Sequence, residues 1–252
     1  MRLIDTGYNN AFMNMAIDEA LISSPSPVLR FYGWKPAGLS LGYFQDISQI
    51  NTQFAKDNGI DVVRRLTGGN AVLHEHELTY SFIIDESLMP KSVLESYKAI
   101  SRGLLLGLRK LGIKAAMNEE VVPGKKSAVC FNDPSWYEIV VDGKKIVGSA
   151  QKRVGGKLLQ HGAILIEKDV RKYCSCFHRS EELIARLEKR MTSINEVLGR
   201  KVSYEKVKMA MADGFKEAIN AEFILDGLSR EETCLAIKLA KERYSSRQWN
   251  KT

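Results

Sequence analysis

The sequence contains no run of about 18 apolar residues, which is the length that a membrane-crossing helix needs. Its N-terminus, MRLIDTGYNN, has no apolar segment of the kind found in secretory signals. These two absences predict a cytoplasmic protein without contact to a membrane. At 252 residues with 44% hydrophobic side chains, the chain is long and apolar enough to bury a sizeable core, which argues against disorder.

Cysteine and histidine are scarce, with four of each. The histidines form no HExxH or H-x₃₋₅-H set, and the cysteines form no CxxC pair of the type that binds zinc. We therefore expect neither a metal site nor a disulfide framework. The cysteines in question are Cys130, Cys174, Cys176 and Cys234.

A formal net charge of +7 favours an acidic partner without identifying it. Nucleic acid is one acidic candidate, but the charges are dispersed and no known nucleic-acid motif is present, so we expect no nucleic acid partner.

The pattern of apolar residues alternates between period 2 and helical spacing up to about residue 166, and it is helical afterwards. This pattern predicts an α+β fold: a mixed, mostly antiparallel sheet with packed helices and a helical C-terminal end at about 180–252. No internal repeat or linker divides the chain, so a single domain over 1–252 is expected. The predicted strands are 2–5, 28–34, 38–44, 60–65, 78–82, 136–141, 144–150 and 157–166, and the predicted helices begin near 12, 50, 92, 181, 204 and 231.

The segment Arg64–Phe82, RRLTGGNAVLHEHELTYSF, is the centre of the sequence. It indicates a strand, a turn at Gly68 and Gly69, and a returning strand, and the two glycines let a ligand approach the main chain closely. Arginine and histidine side chains beside exposed amides suit a carboxylate, a thioester carbonyl or a phosphate. An ordinary turn with solvated arginines is the alternative, and glycine content alone does not decide between them.

A second informative segment runs from Cys130 to the hairpin turn Asp142-Gly143. Cys130 directly precedes a turn, where a substrate could reach it, and a nearby ammonium such as Lys145 would favour its thiolate. The alternatives are a buried structural cysteine and a solvated lysine. A straight chain would place the two residues about 30 Å apart, so the pairing requires the chain to double back at 132–135.

These two segments carry a resemblance to a known family. RRLTGGNAVLHEHELTYS is similar to the RRxTGGxAVLHxxELTYS signature of the lipoate branch of the biotin/lipoate ligase superfamily, and VCFNDPSWYEIVVDGKKIVGSAQKRVGGKLLQHGAIL resembles the LipM-type octanoyltransferases. The cysteine of the CFxxPSWYE pattern separates that type from the lipoate ligases. One departure is Asn70, where the family often has Arg or Gly, which leaves its role in carrier or acyl selection open.

The resemblance implies a biotin/lipoate ligase-like catalytic domain that moves octanoyl from acyl carrier protein to a lipoyl domain, such as the glycine-cleavage H protein. It assigns the acyl-thioester nucleophile to Cys130 and the activating lysine to Lys145. It implies no cofactor, because the phosphopantetheine belongs to the substrate, and we expect a monomer. The expected substrate-binding residues are Arg64, Arg65, Thr67, Gly68, Gly69, Asn70, Ala71, His74, Gly148, Ser149, Ala150, His161 and Gly162.

Three other functions remain compatible with the sequence. A lipoate or octanoate ligase would use ATP and Mg²⁺ on the same fold. An amidotransferase would take octanoyl from the H protein instead of the acyl carrier protein. A non-catalytic acyl- or carrier-binding protein would need neither Cys130 nor Lys145. The acyl donor, the acyl length and the acceptor domain are not settled by the sequence.

Overall fold

A computed structural model describes residues 1–118, 138–177 and 181–251. The strands in this part of the chain are β1 (Arg2–Asn9), β2 (Val28–Trp34), β3 (Gly38–Leu41), β4 (Asp61–Arg64), β5 (Val72–His74), β6 (Glu77–Asp85), β7 (Ala116–Met117), β8 (Ile139–Val141), β9 (Lys144–Val154), β10 (Lys157–Leu165) and β11 (Ile224–Asp226). The α-helices are α1 (Ala11–Ala20), α2 (Thr52–Asp57), α3 (Val93–Lys110), α4 (Val170–Ser175), α5 (Glu181–Arg190), α6 (Ile194–Leu198), α7 (Tyr204–Ile219), α8 (Arg230–Leu239) and α9 (Arg247–Lys251). Among the described residues, no helix has the length and apolar character to cross a membrane.

The strands form two sheets. The large sheet has the order β11-β1-β2-β6-β10-β9-β8-β7, and the small sheet has the order β4-β3-β5. Strand β1 is parallel to both of its neighbours, and β3 is parallel to β4, whereas the remaining pairs are antiparallel. The prediction of a mixed, mostly antiparallel sheet with packed helices is confirmed.

Each face of the large sheet is covered by helices. On one face, Leu29 and Phe31 of β2 join a core with α3 and α7, and on the other face Val28 and Tyr32 of the same strand join a core with α1 and α8. Alternate residues of β2 point to opposite faces, and because both faces are covered the whole strand is buried. A third core joins the small sheet to α2, α4 and α5.

Helices α3 and α7 cross at very short distance. A Cβ on Gly214 would lie 2.3 Å from the backbone nitrogen of Gly107, and a Cβ on Gly103 would lie 2.5 Å from the ring of Phe215. The three glycines therefore allow the two backbones to approach, although glycine inside a helix lowers its intrinsic stability. The apolar faces of the two helices compensate by burying Leu104, Leu108 and Met211 between them and the sheet.

Local sequence signals placed most element ends correctly. Asn10 caps α1 by accepting a hydrogen bond from the Met13 amide, and Ser92 caps α3 through the Glu95 amide. The Asp142-Gly143 turn has positive φ at both residues, as a type I′ hairpin turn requires.

Several details of the predicted elements were wrong, among them the strand β11 within the C-terminal part that was expected to be helical. The expected strand 38–44 ends at Leu41, and Phe44 is 90% exposed. Strand β1 runs to Asn9 and β9 runs to Val154, each four residues beyond its predicted end. The stretch between Gly69 and Leu78 contains the additional strand β5, which pairs with β3 in the small sheet and was missed because it is only three residues long.

Candidate active site

A cavity of about 150 Å³ lies where the small sheet and the glycine turn pack against the large sheet. Strands β2, β6, β9 and β10 form its floor, helix α1 contributes one side, and strands β3 and β5 contribute the other. The described residues that line it are Met15, Tyr32, Trp34, Ser40, Arg65, Gly69, Asn70, Val72, His74, Thr79, Gly148, Ser149, Ala150, His161, Gly162 and Ala163. Most of the wall is apolar, and polar groups gather around the glycine turn.

The glycine turn is held against the turn that follows β3. A Cβ on Gly42 would lie 1.7 Å from the carbonyl oxygen of Gly69, so only glycine fits at position 42. The Tyr43 amide donates a hydrogen bond of 2.9 Å to the Thr67 carbonyl and ties the same two segments together. Gly69 has φ +89°, a backbone conformation that glycine adopts readily. The turn is thus locked from one side by a main-chain contact.

Arg65 holds the glycine turn from within. Its Nη2 donates to the carbonyls of Gly68 at 2.7 Å and Asn70 at 2.9 Å, on either side of Gly69. Its Nε donates to Thr67 Oγ1 at 3.1 Å, and its Nη1 donates to the carbonyl and hydroxyl oxygens of Ser40. The guanidinium therefore bridges β3 and the turn with bonds to the chain itself, whereas the sequence suggested that it offers donors to a ligand.

Arg64 points away from the cavity. Its side chain is buried and donates to the carbonyls of Gly42 and Gln45 on one side and of Trp249 and Asn250 on the other. Its backbone amide also donates to Asn250 Oδ1 at 2.7 Å. This clasp joins the strand before the glycine turn to helix α9, so the contacts of Arg64 are structural ones.

His74 is fixed by three contacts. Its Nδ1 lies 2.5 Å from Glu77 Oε1, its Nε2 lies 2.8 Å from Ser40 Oγ, and its ring stacks on Trp34 with the centroids 4.1 Å apart. Glu77 Oε1 also accepts a 2.6 Å hydrogen bond from the Thr79 hydroxyl. A carboxylate oxygen accepts hydrogen bonds, so His74 donates through Nδ1 to Glu77.

His161 has the same arrangement on the opposite side of the turn. Its Nδ1 lies 2.9 Å from Asp18 Oδ2, and its Nε2 lies 2.7 Å from Thr67 Oγ1. Asp18 also accepts hydrogen bonds from Arg30 Nη1 at 2.5 Å and from the Tyr32 hydroxyl at 3.0 Å. All five side chains are buried.

The charges in this group follow from its surroundings. Burial alone would raise the pKa of Asp18, but the Arg30 charge and the hydrogen bonds from His161 and Ser81 outweigh burial and lower it. Burial is also the main cause that lowers the pKa of His161, against the opposing effect of Asp18. At neutral pH, Asp18 is ionised and His161 is neutral, with its proton on Nδ1.

Lys145 is buried and forms an ion pair with Glu138, with Nζ 2.5 Å from Oε1. It lies opposite Val140, as the hairpin predicts, and the ladder is interrupted by a bulge between Val140 and Ile139. Bulges redirect side chains and are frequent near active sites. Lys144 is exposed, as expected for its neighbour on the strand. Lys145 lies at the start of β9, three residues before the segment 148–150 that lines the cavity.

Cys130 and the proposed fold-back at 132–135 lie outside the described residues. Of the cysteines that the structure does describe, Cys174 and Cys176 are fully buried and Cys234 is exposed, and all three are free thiols. Burial raises the pKa of Cys176 to about 12, which disfavours its thiolate. No group of three or more His, Cys, Asp or Glu side chains within 1–118, 138–177 and 181–251 could hold a metal ion.

The structure brings most of the expected substrate-binding residues together. Those that line the cavity are Arg65, Gly69, Asn70, His74, Gly148, Ser149, Ala150, His161 and Gly162. Thr67 and Ala71 lie behind the lining and are fully buried, Gly68 lies in the turn itself, and Arg64 faces α9. The binding roles of all thirteen residues stay predictions.

Sequence reasoning missed the half of the cavity contributed by β2, β3 and α1. Trp34 had the clearest available signal, because it is one of only three tryptophans and ends a strand. Met15 had no signal beyond its place in the first predicted helix, and it was not assigned to the apolar face of that helix. Asp18 carried no signal in the sequence, since its partners Arg30 and His161 are remote along the chain.

The fold and the cavity define a class of protein: an α+β domain with a small, mainly apolar cavity beside a glycine turn. Comparison with known proteins gives the family. The model of the lipoyl protein ligase A/B catalytic domain matches residues 10–216. Octanoyltransferase LipM of Geobacillus kaustophilus is 43% identical over 269 aligned residues, which cover 99% of this chain and 97% of that protein.

Solved structures agree with this assignment. A bipartite lipoate protein ligase of Thermoplasma acidophilum, analysed with its E2 lipoyl domain, has a TM-score of 0.85 and 25% identity, over 99% of this chain and 95% of its own. A lipoate-protein ligase A with bound ATP has a TM-score of 0.82 and 27% identity, over 99% and 98%. The chain belongs to the lipoyl protein ligase A/B catalytic-domain family and, within it, to the LipM-type octanoyltransferases.

Proposed function

We propose that this octanoyltransferase moves an octanoyl group from acyl carrier protein to the ε-amine of a lysine on a lipoyl domain, such as that of the glycine-cleavage H protein. The acyl group would pass through a thioester on Cys130. The observation that carries the proposal is the cavity described above, whose lining comes from both sequence motifs of a LipM-type chain.

The size and polarity of the cavity suit a short acyl chain. Its volume of about 150 Å³ lies below the roughly 300–1,000 Å³ of pockets for drug-sized ligands. Met15, Trp34, Val72 and Ala163 supply apolar wall. At about 0.8 kcal/mol per buried CH₂, enclosing an octanoyl chain would contribute roughly 5 kcal/mol to binding. The thioester end would then lie among the polar groups at the glycine turn.

The proposed chemistry has two steps. The Cys130 thiolate attacks the thioester carbonyl, the bond from that carbonyl to the phosphopantetheine sulfur breaks, and the carrier leaves as a thiol after taking a proton. The neutral amine of the acceptor lysine then attacks the acyl-cysteine, an amide forms as the amine nitrogen loses a proton to solvent, and the Cys130 thiolate is released; this proton balances the one taken up by the carrier thiol in the first step. No ATP is consumed because the thioester already stores the energy of the new amide bond, and no resident cofactor is proposed.

Lys145 is proposed to support both steps through its charge. A buried ammonium favours the thiolate form of a neighbouring cysteine and stabilises the oxyanion that forms during acyl transfer. The Gly68 and Gly69 amides and the His74 side chain would line the thioester end of the cavity. The ion pair with Glu138 keeps the buried charge compensated while no substrate is bound.

The protein substrates fit the charge of the chain. Acyl carrier protein and lipoyl domains are acidic, and a net charge of +7 favours encounter with acidic proteins. This gives the basic composition a role that needs no nucleic acid. A monomer would be sufficient, because both motifs lie in one chain.

A direct test uses the purified protein with the apo H protein as acceptor and three donors in parallel: octanoyl acyl carrier protein, octanoyl H protein paired with a different lipoyl domain, and free octanoate with ATP and Mg²⁺. Intact-protein mass spectrometry reports octanoylation of the acceptor. We expect transfer from octanoyl acyl carrier protein without ATP.

Two other results would replace the proposal. Strict dependence on ATP with free octanoate or lipoate would assign the chain to the ligases, one of which is the ATP-bound lipoate-protein ligase A that this fold resembles. Transfer only from the octanoyl H protein would assign it to the amidotransferases. A matched control without Cys130, Cys130→Ser, shows whether any transfer observed passes through the cysteine.

A further inference from the structure

A buried polar network lies behind the cavity and includes a carboxylate that the proposed chemistry does not use. Asp18, on helix α1, is 2% exposed and is surrounded by Arg30, Ser81 and His161. A buried carboxylate is costly unless it is fully paired. Its four hydrogen-bonding partners, including Tyr32, fully compensate that cost, so the position of this side chain is tightly determined.

We infer that Asp18 is a positioning residue for acyl transfer: it fixes the tautomer of His161, which through Thr67 and Arg65 holds the glycine turn in shape. This inference rests on the proposed function. Asp18 touches neither the cavity nor a substrate group, so it would act only through the chain of hydrogen bonds that begins at His161.

The direction of each hydrogen bond follows from the chemistry of its partners. Asp18 can only accept, so His161 donates through Nδ1 and its Nε2 is left as an acceptor. The Thr67 hydroxyl, 2.7 Å away, must then donate its proton to that Nε2. Its oxygen lone pairs face Arg65, whose Nε donates to it at 3.1 Å. Every donor in the chain thus meets an acceptor.

The network ends at the ligand-facing turn. The same guanidinium of Arg65 that donates to Thr67 also donates to the carbonyls of Gly68 and Asn70. His161 itself lines the cavity, so its ring orientation shapes the wall directly. The tautomer of one buried imidazole therefore influences both the wall and the turn.

Asp18→Asn is the informative variant because it preserves shape and reverses polarity. Arg30 is a cation and must keep facing the amide oxygen, so the amide nitrogen takes the place of Oδ2 and donates towards His161 Nδ1. The imidazole must then carry its proton on Nε2, as in other sites where an Asp→Asn change selects the wrong tautomer. His161 would donate to Thr67, whose proton has to find another acceptor.

The tautomer can be measured without any activity. With ¹⁵N-histidine labelling, the signals come from only four imidazole rings, each with two nitrogens. The pair of signals that disappears in His161→Asn belongs to His161. We expect Nδ1 protonated at pH 7.5 in the wild type and Nε2 protonated in Asp18→Asn. Glu232→Gln serves as the matched control, because Glu232 is also a buried carboxylate paired with an arginine, Arg2, but its hydrogen bonds run to Arg2 and Ser229 and not to His161. A wild-type His161 protonated on Nε2 would overturn the inference.

Kinetics then separate positioning from simple loss of folded protein. We expect Asp18→Asn to lower kcat/KM for octanoyl acyl carrier protein about 10- to 100-fold, since hydrogen bonds to charged groups are worth that much. The KM for the acyl donor should rise while the KM for the acceptor domain stays unchanged. A lower kcat with the KM values of both donor and acceptor unchanged would indicate only a smaller folded fraction. That result would contradict the inference.

Thr67 provides a second and gentler test. Thr67→Val removes the hydroxyl and keeps the volume, whereas Thr67→Ser keeps the hydroxyl. We expect the valine variant to reproduce the donor-specific rise in KM and the serine variant to remain within about threefold of wild type, given that one hydrogen bond contributes on the order of 1 kcal/mol. Equal behaviour of the two variants would exclude Thr67 from the network. If the wild type transferred no octanoyl at all, the proposed function would fail while the tautomer measurement still decided the role of Asp18.

Discussion

Lys145 Nζ lies 2.5 Å from Glu138 Oε1, and both side chains are buried. The lysine that the sequence assigns to thiolate activation is therefore compensated by a carboxylate before any substrate binds. An ammonium that is shared with a carboxylate attracts a thiolate less than one that faces it alone. Glu138 should consequently moderate the effect of Lys145 on Cys130, and the two residues should have opposite influences on the thiol.

Opposite changes in the Cys130 pKa are expected when the two partners are replaced in turn. Lys145→Met should raise the pKa of the Cys130 thiol towards or above its ordinary value of about 8.5, and Glu138→Gln should lower it below the wild-type value. Alkylation by iodoacetamide, followed against pH at the Cys130 peptide by mass spectrometry, measures both changes. While the thiol form predominates, raising the thiol pKa by about 1 lowers the thiolate fraction at pH 7, and with it the alkylation rate, roughly tenfold. Identical profiles for wild type and Lys145→Met would leave Lys145 as a substrate contact at most.

The other cysteines provide controls for the nucleophile. Cys130→Ser should abolish transfer, whereas Cys174→Ala and Cys176→Ala should retain the specific activity of the folded protein, because both thiols are buried and the raised pKa of Cys176 disfavours its thiolate. Trapping of radiolabelled octanoyl on the protein, lost only in Cys130→Ser, is the measurement. Equal loss in all three variants would point to a structural role for the cysteines.

Replacing Gly42, which is not itself a predicted substrate contact, should damage the cavity by displacing the glycine turn. A Cβ at this position would overlap the Gly69 carbonyl, so Gly42→Ala must push the glycine turn out of place. A displacement on the order of 1 Å in a catalytic geometry can cost about 100-fold in rate. Gly227→Ala is the control, because nothing lies within 4 Å of a Cβ there. Steady-state transfer assays and urea unfolding of both variants would show whether activity falls beyond any loss of stability.

Stability should depend on pH through His161. Its pKa is lowered in the folded protein, so the unfolded chain binds more protons as pH falls below about 6.5, and the free energy of unfolding decreases with it. Burial is the main cause of the lowered pKa of His161; Asp18 opposes the shift, and the charges of Arg65 and His74 add to it. The loss is limited to about 1.4 kcal/mol per pH unit for one proton.

Urea unfolding at pH 7.5 and pH 5 measures this dependence. His161→Asn keeps a donor for Asp18 but cannot titrate, so its stability should fall less than that of the wild type between the two pH values. Parallel losses in the two proteins would assign the pH dependence to other groups.

The sequence predicted the elements whose signals are local. The Asp142-Gly143 hairpin depends on neighbours within a few positions, and it is confirmed together with the pairing of Val140 and Lys145 that a two-residue turn requires. The fold class followed from the same periodic patterns. The family resemblance contributed the motif residues, most of which the structure gathers around one cavity.

The remaining features depend on contacts between distant parts of the chain. Asp18 and His161 are separated by 143 positions, and Gly42 meets Gly69 only because β3 and β4 lie side by side. No local sequence pattern predicts such contacts between distant residues. The arginines illustrate the limit best: in sequence Arg64 and Arg65 look equivalent, but one clasps helix α9 and the other holds the glycine turn.

The clasp of Arg64 also affects the timing of assembly during synthesis. The carbonyl of Trp249 that it binds is translated 185 positions after it. At a synthesis rate of about 5–20 residues per second, Trp249 is added roughly 10–40 s after the strand that leads into the glycine turn. During that interval the buried guanidinium lacks some of its acceptors, so the cavity reaches its final shape late, after the large sheet has had time to form. Acyl binding should therefore be among the last properties that a newly made chain acquires.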